Sequence, residues 1–589
     1  MNEKSVRAII ILFLLLLVVF LSLAGRCFYL QYVRSEHYVD LCINQYRGQL
    51  IEAPQRGVIL DSGGRVLAAS SRVRTIFAEP RVIKDTLTTS VELAPIVKMR
   101  ATEIIRLIRE SGNPGFVRIK VDATEAQCDA ARKIYGIGVQ SDWQRIYPTG
   151  RLAAHIVGFT SGDDRGLSGI ELKYDKELRG SSGQNIFLAD ALRRPIQIRQ
   201  RSSILSDGVG IILTIDSAIQ QFVRGALLEQ YKNYEAESAV AIVVSAKTGA
   251  ILAMVSLPDF NPCDIGGAEP DMLRNCAVAV QYEPGSALKP IVAAIALDSG
   301  LVSRNEKIFC ENGDYRGRGF GRIGEYSEHS FGDLTVREIL VKSSNIGMAK
   351  LGQRLGKEKL YEGLRHFGFG QKVDVDLPGE AEGQLRRVGD WTGYSVTRIP
   401  FGQEISVTSI QLVRAFCILA SGGRSVQPFL VKAVVDSKGN VVKQRQSSPD
   451  VGYIVKPEIA KWIVNDCLVG VVNERENGGT GWRAKLEKWQ VFGKTGTAQL
   501  ASSDGRGYEP NAYVASFVAG APADDPEVVV LVSIYKPNTK LGKGYTGGMV
   551  AAPVAGKILE KTLKYLRVPE QKNGGLKPTL QMHVPERSL

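Results

Sequence analysis

The sequence predicts an α+β fold: an antiparallel sheet flanked by helices, behind a β-rich N-terminal domain and one transmembrane helix. Three observations lead there. Between residues 206 and 566, stretches of strand character lie at both ends with helix-rich sequence between them, the order of an α+β domain. Upstream, short β-rich patches (GVIL, RVLAA, TIFAE) alternate with helical stretches such as Val91 to Arg109. At the N-terminus, Ala8 to Ala24 is an unbroken apolar run containing one serine.

As a helix that run spans about 26 Å at ~1.5 Å per residue, close to the ~30 Å hydrocarbon core of a bilayer. Lys4 and Arg7 precede it, so the positive-inside rule leaves residues 1–7 in the cytoplasm and makes 8–25 the anchor. Everything beyond residue 25 then faces the outside of the plasma (inner) membrane. The competing reading is a signal peptide cleaved at Ser22-Leu23-Ala24; the run exceeds a usual signal h-region, which favours an uncleaved anchor. Arg26 separates Gly25 from Cys27 and excludes a lipoprotein signal.

Residues 26–205 form the next unit, with no catalytic constellation. Arg56 and Asp61 read as a buried ion pair or a turn. A polar link, Gln200 to Gly208, marks its end. Residues 206–566 then open with the strand IILTID and a helix from about Ser217. Ala239 to Ser256 reads as two strands joined by a turn at Lys247-Thr248-Gly249. Strands around Gln490 to Thr497, Ala512 to Gly520 and Val528 to Tyr535 complete the sheet. The tail, 567–589, is polar, contains Pro and Gly, and is expected to be disordered.

The chain of 589 residues carries a net charge of +13. No RNP, zinc-finger or basic-helix pattern accompanies that charge, so anionic lipid or wall polymer is the expected counterpart and nucleic acid is not. Eight cysteines are irregularly spaced, without a Cys-x-x-Cys pair, and five histidines are scattered. No metal site and no cofactor are expected. Mostly free, buried thiols are expected, with Cys263–Cys276 and Cys276–Cys310 open as disulfides.

The chemistry concentrates at Ser286-Ala287-Leu288-Lys289, in YEPGSALKP. A serine hydroxyl needs a base within hydrogen-bond reach, and positions i and i+3 of a helix share a face. Pro284-Gly285 breaks the chain just before, so Ser286 should sit at the positive end of a helix, where N–H groups face incoming negative charge. Alone the tetrad means little: Ser533-Ile534-Tyr535-Lys536 matches it and reads as a strand. Two further elements follow in order, Ser343-Ser344-Asn345 and Lys494-Thr495-Gly496-Thr497. Decoys exist at Ser111-Gly112-Asn113, Ser303-Arg304-Asn305 and Lys247-Thr248-Gly249. The last precedes the serine, the wrong order; the first two lack the context.

This three-part set resembles that of class A β-lactamases and penicillin-binding proteins. The flanks extend the likeness: FGKTGTAQ, GGTGWRA, ASFVAGAPADDP, GGMVAAPV, VDLPGEAEGQL and GQEISVTSIQL are similar to class B penicillin-binding proteins. QRGVILDSGGRVLA and RIYPTGRLAAHIVGF through GLSGIELKYDKELRG resemble their non-catalytic dimerisation or pedestal domain. The likeness covers about Arg56 to Ile558 and points to the septal or sporulation type. It implies a D,D-transpeptidase acting on the D-Ala-D-Ala end of peptidoglycan stem peptides, inhibited by β-lactams. By the same resemblance, a membrane-embedded glycan polymerase of the shape, elongation, division and sporulation group is its partner. Ser286 is then the nucleophile and Lys289 its base, neutral through burial and the nearby charge of Lys494. Ser343 relays a proton, Asn345 holds substrate amide and Lys289, and Lys494, Thr495 and Thr497 suit a terminal carboxylate. Gly496 leaves room for a substrate strand against the sheet edge. The N–H groups of Ser286 and Thr497 form the oxyanion hole. Trp482 and Trp489 read as packing.

Rival readings remain. A class A β-lactamase needs a Glu-x-x-Leu-Asn carboxylate, which is absent after Asn345. A membrane β-lactam sensor would carry several membrane spans, and one appears; the intact Ser/Lys/Asn/Lys set argues against a pseudoenzyme scaffold. A D,D-carboxypeptidase differs only in using water as acceptor.

Overall fold

In the computed structural model, residues 2–52, 54–189, 195–203, 205–445, 452–502 and 507–571 are described. The chain divides into two units. The first comprises Met1–Gln55 and Gly180–Gly208. Its N-terminal helix Glu3–Phe28 runs on through a wider turn to Val33 with no residue buried, and is long and apolar enough to cross a membrane. The expected anchor lies inside it. Strands Arg47–Glu52, Gly183–Ala189 and Pro195–Ser203 form a small antiparallel sheet in the same unit.

The second unit comprises Arg56–Arg179 and Val209–Leu589. Its central sheet has five strands: β1 Ser238–Ser245, β2 Ile251–Leu257, β3 Phe492–Ala501, β4 Tyr508–Ala521 and β5 Val528–Tyr535. They pair antiparallel throughout in the order β2-β1-β5-β4-β3, which leaves β3 at an edge. The helices around it are α1 Ser217–Asn233, α2 Lys289–Asp298, α3 Val336–Lys342, α4 Asn345–His366, α5 Ser409–Ala420 and α6 Ala552–Tyr565. This is the α+β arrangement the sequence predicts.

Strand β5 (VVVLVSIY) is buried along its whole length because both faces are covered. Val530 and Val532 pack with Ile219 and Val223 of α1 and Ile558 of α6; Val529 and Leu531 join the cluster holding Val413 of α5 and Ile291 of α2. The decoy Ser533 is buried in this strand, and the Lys247 decoy is the turn between β1 and β2, with Gly249 at φ +79°.

The strand expected to open the catalytic region, Gly210–Leu213, belongs to another sheet. It pairs in parallel with Ile59–Leu60 and antiparallel with Val431–Val435, in a seven-stranded sheet that also takes in Val66–Ala78 and Val117–Lys120. Strands from both sides of residue 205 therefore share one sheet. An apolar pattern marks a strand and does not name its partner.

Arg56 and Asp61 have the structural places expected. The Arg56 guanidinium, 1% exposed, meets Glu171 at 2.6 Å and Asp175 at 2.8 Å, and Arg145 meets the other oxygen of Glu171 at 2.6 Å. Asp61 accepts from the backbone N–H groups of Gly63 and Arg65 in a tight turn. Cys27, Cys128, Cys263, Cys276, Cys310, Cys417 and Cys467 are all free thiols, so neither candidate disulfide forms. The side chain of Cys42 lies outside the described residues. In the tail, residues 567–571 fold back: Trp489 Nε1 donates to the Pro569 carbonyl at 3.0 Å and Gln571 N to Lys488 O at 3.0 Å. Residues 572–589 lie outside the described set.

Candidate active site

Pro284 and Gly285 turn the chain ahead of Ser286, but more tightly than an α-helix would. Gly285–Leu288 is a 3₁₀ turn, and α2 begins at Lys289. In a 3₁₀ turn i and i+3 eclipse, so Ser286 and Lys289 share a side. Gly285 sits at φ +53°, and a Cβ on Gly402 would lie 2.1 Å from its carbonyl oxygen. Helix α2 is buried from Lys289 through Leu297. An apolar helix with one lysine at its start carries that amine into the core.

The second element is a junction. Helix α3 starts from a capping box of Thr335 and Glu338 and stops at Ser343, which takes left-handed φ of 61°. Ser344 then caps α4, accepting from Gly347 N at 3.0 Å. The reversal brings the Ser343 hydroxyl and carbonyl together with the Asn345 amide. The third element is β3. Alternation along this edge strand puts Phe492 and Lys494 on one face and Thr495 and Thr497 on the other.

Lys289 Nζ donates to Ser343 O at 2.6 Å, Asn345 Oδ1 at 2.8 Å and Ser343 Oγ at 3.3 Å; Lys494 Nζ donates to Ser343 Oγ at 2.9 Å. One hydroxyl thus bridges two amines from separate elements. Ser286 is half-buried in a cleft of about 600 Å³ lined also by Ser343, Asn345, Thr495 and Thr497. Its hydroxyl has no hydrogen-bond partner among the described residues. The sequence reading put Lys289 beside the Ser286 oxygen; here Ser343 and Asn345 take up the amine. Such contacts are often loose before substrate binds.

Both lysines are 0% exposed, and neither has a carboxylate at ion-pair distance among the described residues. Burial pushes the Lys289 amine down to about 7, with the nearby charge of Glu325 working against it. Burial, then the charge of Lys289, hold Lys494 well below the ordinary lysine value. An amine neutral near pH 7 can accept a proton from a hydroxyl, and a hydroxyl between two amines can pass one on.

A Cβ on Gly496 would lie 2.3 Å from Ser516 Oγ and 2.8 Å from the Pro284 carbonyl. Glycine is needed there for β3 to pack on β4 and the Ser286 turn. Thr495 Oγ1 lies 2.8 Å from Thr480 Oγ1, and Thr497 Oγ1 accepts from Gly547 N at 3.1 Å. Trp489 is buried, and Trp482 is contacted by Arg475 and Arg483 with their guanidinium carbons 4.0 and 4.3 Å from its ring centre, so both are packing residues. The sequence reading missed Glu325, which binds the start of α4, and the stacked pair Tyr513 and Tyr545, 4.2 Å apart on the cleft. No motif flags either.

Comparison with known proteins gives two family matches: the penicillin binding protein transpeptidase domain over residues 239–560 and the penicillin-binding protein dimerisation domain over residues 51–209. Stage V sporulation protein D of Bacillus subtilis is 34% identical over 96% of this chain and 86% of its own length. Peptidoglycan D,D-transpeptidase FtsI of Escherichia coli K12 is 30% identical over 93% of this chain and 90% of its own. Among solved structures, penicillin binding protein 3 of Mycobacterium tuberculosis complexed with aztreonam superposes with a TM-score of 0.68 at 26% identity. That match covers 89% of this chain and 98% of the other.

Proposed function

This chain belongs to the penicillin-binding protein transpeptidase family, and from that membership we propose that it is a peptidoglycan D,D-transpeptidase working through a serine acyl-enzyme. Residues 8–25 anchor it, 26–205 form the pedestal, 206–566 the transpeptidase domain and 567–589 a tail. The catalytic domain faces the periplasm. A membrane-embedded glycan polymerase supplies the strands to be joined, at a septum or a forming spore.

In the first half-reaction Ser286 Oγ attacks the penultimate D-Ala carbonyl while Lys289 takes its proton. The carbon–nitrogen bond to the last D-Ala breaks, and the leaving amine receives a proton through Ser343. In the second, an amine from a neighbouring stem peptide attacks the ester and Ser286 leaves with a proton returned to it. Asn345 holds the substrate amide and Lys289. The Thr495 and Thr497 hydroxyls, which line the cleft, bind the terminal carboxylate, Lys494 supports Ser343 from the other face of β3, Gly496 keeps β3 close to the nucleophile's turn, and the N–H groups of Ser286 and Thr497 take the oxyanion. β-Lactams mimic the substrate and remain on Ser286.

The observation that supports this best is the buried Lys289, hydrogen-bonded to Ser343 and Asn345 and one turn from a serine open to the cleft. Labelled penicillin tests it. The wild-type chain should become covalently labelled and Ser286→Ala should not; labelling that survives the substitution refutes the assignment.

A further inference from the structure

A hairpin of strands Asp314–Gly317 and Gly321–Gly324 delivers Glu325 to the first turn of α4. Its half-buried carboxylate accepts from Ser344 Oγ at 2.5 Å, Asn345 N at 2.6 Å and Ile346 N at 3.2 Å. The preceding carbonyl, Gly324 O, accepts from Asn345 Nδ2 at 3.1 Å. The hairpin therefore grips Asn345 twice, by its backbone and by its amide nitrogen. With Nδ2 committed to Gly324, the amide oxygen is the atom left to meet Lys289 Nζ, 2.8 Å away. A carboxylate at the N-terminus of a 22-residue helix is also well placed against the helix dipole.

We propose that Glu325 is a positioning residue for the acyl transfer, locking the junction of α3 and α4 so that the Asn345 oxygen and the Ser343 carbonyl stay aimed at Lys289. This role rests on the function proposed above. A free junction has alternatives: the Asn345 amide can turn, and left-handed Ser343 can relax. The first would cost the buried amine its Asn345 acceptor, the second its Ser343 acceptors.

The ionisable groups facing Lys289 are Lys494 from β3 and Glu325 from the hairpin; Ser286, Ser343 and Asn345 face it as neutral groups. Glu325 is the negative one, and it favours the protonated amine. The sign follows. A base works when deprotonated, so the wild-type acylation rate should rise with pH through about 7. Removing the Glu325 charge should shift that rise to lower pH.

The experiment measures acylation of the full chain in detergent by fluorescent penicillin from pH 5.5 to 9, an interval set about the lysine midpoint. Glu325→Gln should slow acylation by about 10- to 100-fold and move the midpoint down, and Glu325→Asp should recover part of both. Ser344→Ala keeps the charge but removes one contact, so it should slow the reaction with the midpoint unmoved. A wild-type rate in Glu325→Gln overturns the role, as does a slowed rate with an unmoved midpoint and no recovery in Glu325→Asp. Should Glu325→Gln lose its thermal transition, Ser344→Ala decides: a wild-type rate there overturns the proposal. Wild-type protein that takes no label at any pH sinks the transpeptidase reading itself.

Discussion

Two regions of the second unit bury cations, and they treat them in opposite ways. Around Arg56, burial is answered by carboxylates: Glu171 and Asp175 contact it, Arg145 shares Glu171, and the guanidinium is held above its usual value despite desolvation. Around Ser343, Lys289 and Lys494 are as deeply buried, yet receive only neutral acceptors, and both amines are pushed down. A buried charge with its counter-charge serves the fold. A buried amine without one resists protonation, which is what a base near neutral pH requires. The difference separates a structural cluster from a chemical one without reference to any motif.

Three substitutions test that contrast. The largest effect is expected at Lys289→Met: acylation by labelled penicillin should fall by about 10²–10⁴-fold, the range for a lost general base. The melting temperature should rise, because a buried amine without a counter-charge is removed; a drop of several degrees would place Lys289 with the structural cluster. Arg56→Met should do the reverse. It strands Glu171 and Asp175 with fewer partners, and should reduce stability by about 3 kcal/mol in a denaturant titration. The protein that remains folded should acylate at the wild-type rate, and slower acylation would break the division of labour. The smallest effect is expected at Lys247→Ala, in the decoy Lys-Thr-Gly turn. Its ion pairs with Asp525 and Glu527 are solvent-exposed, at 46% for the lysine side chain. Stability should change by less than about 1 kcal/mol, and acylation not at all.

Much of the site was legible because its parts are local. Ser286 and Lys289 are held in one turn, Ser343 and Asn345 at one helix junction, and Lys494 in one strand. Each motif is short enough for its residue types and spacing to carry meaning. Glu325 was illegible for the complementary reason: it reaches α4 from a separate hairpin, and nothing in Gly-Glu-Tyr marks it as a helix cap. Gly496 was legible in position, but its close neighbours Ser516 and Pro284, distant in sequence, were not. Glu171 and Arg145 are likewise invisible as partners of Arg56 until the chain is folded.

Local sequence was enough to set the apolar N-terminal helix, the strands of the antiparallel sheet, and which serine and lysines could act together. These follow from local hydrophobic period, turn residues and i,i+3 geometry, all confined to a few residues. It took the folded chain to pair Gly210–Leu213 outside the main sheet, to rest Lys289 on Ser343 and Asn345, and to bury both amines. Desolvation and partner choice are sums over everything that surrounds a group. No window of sequence contains that sum.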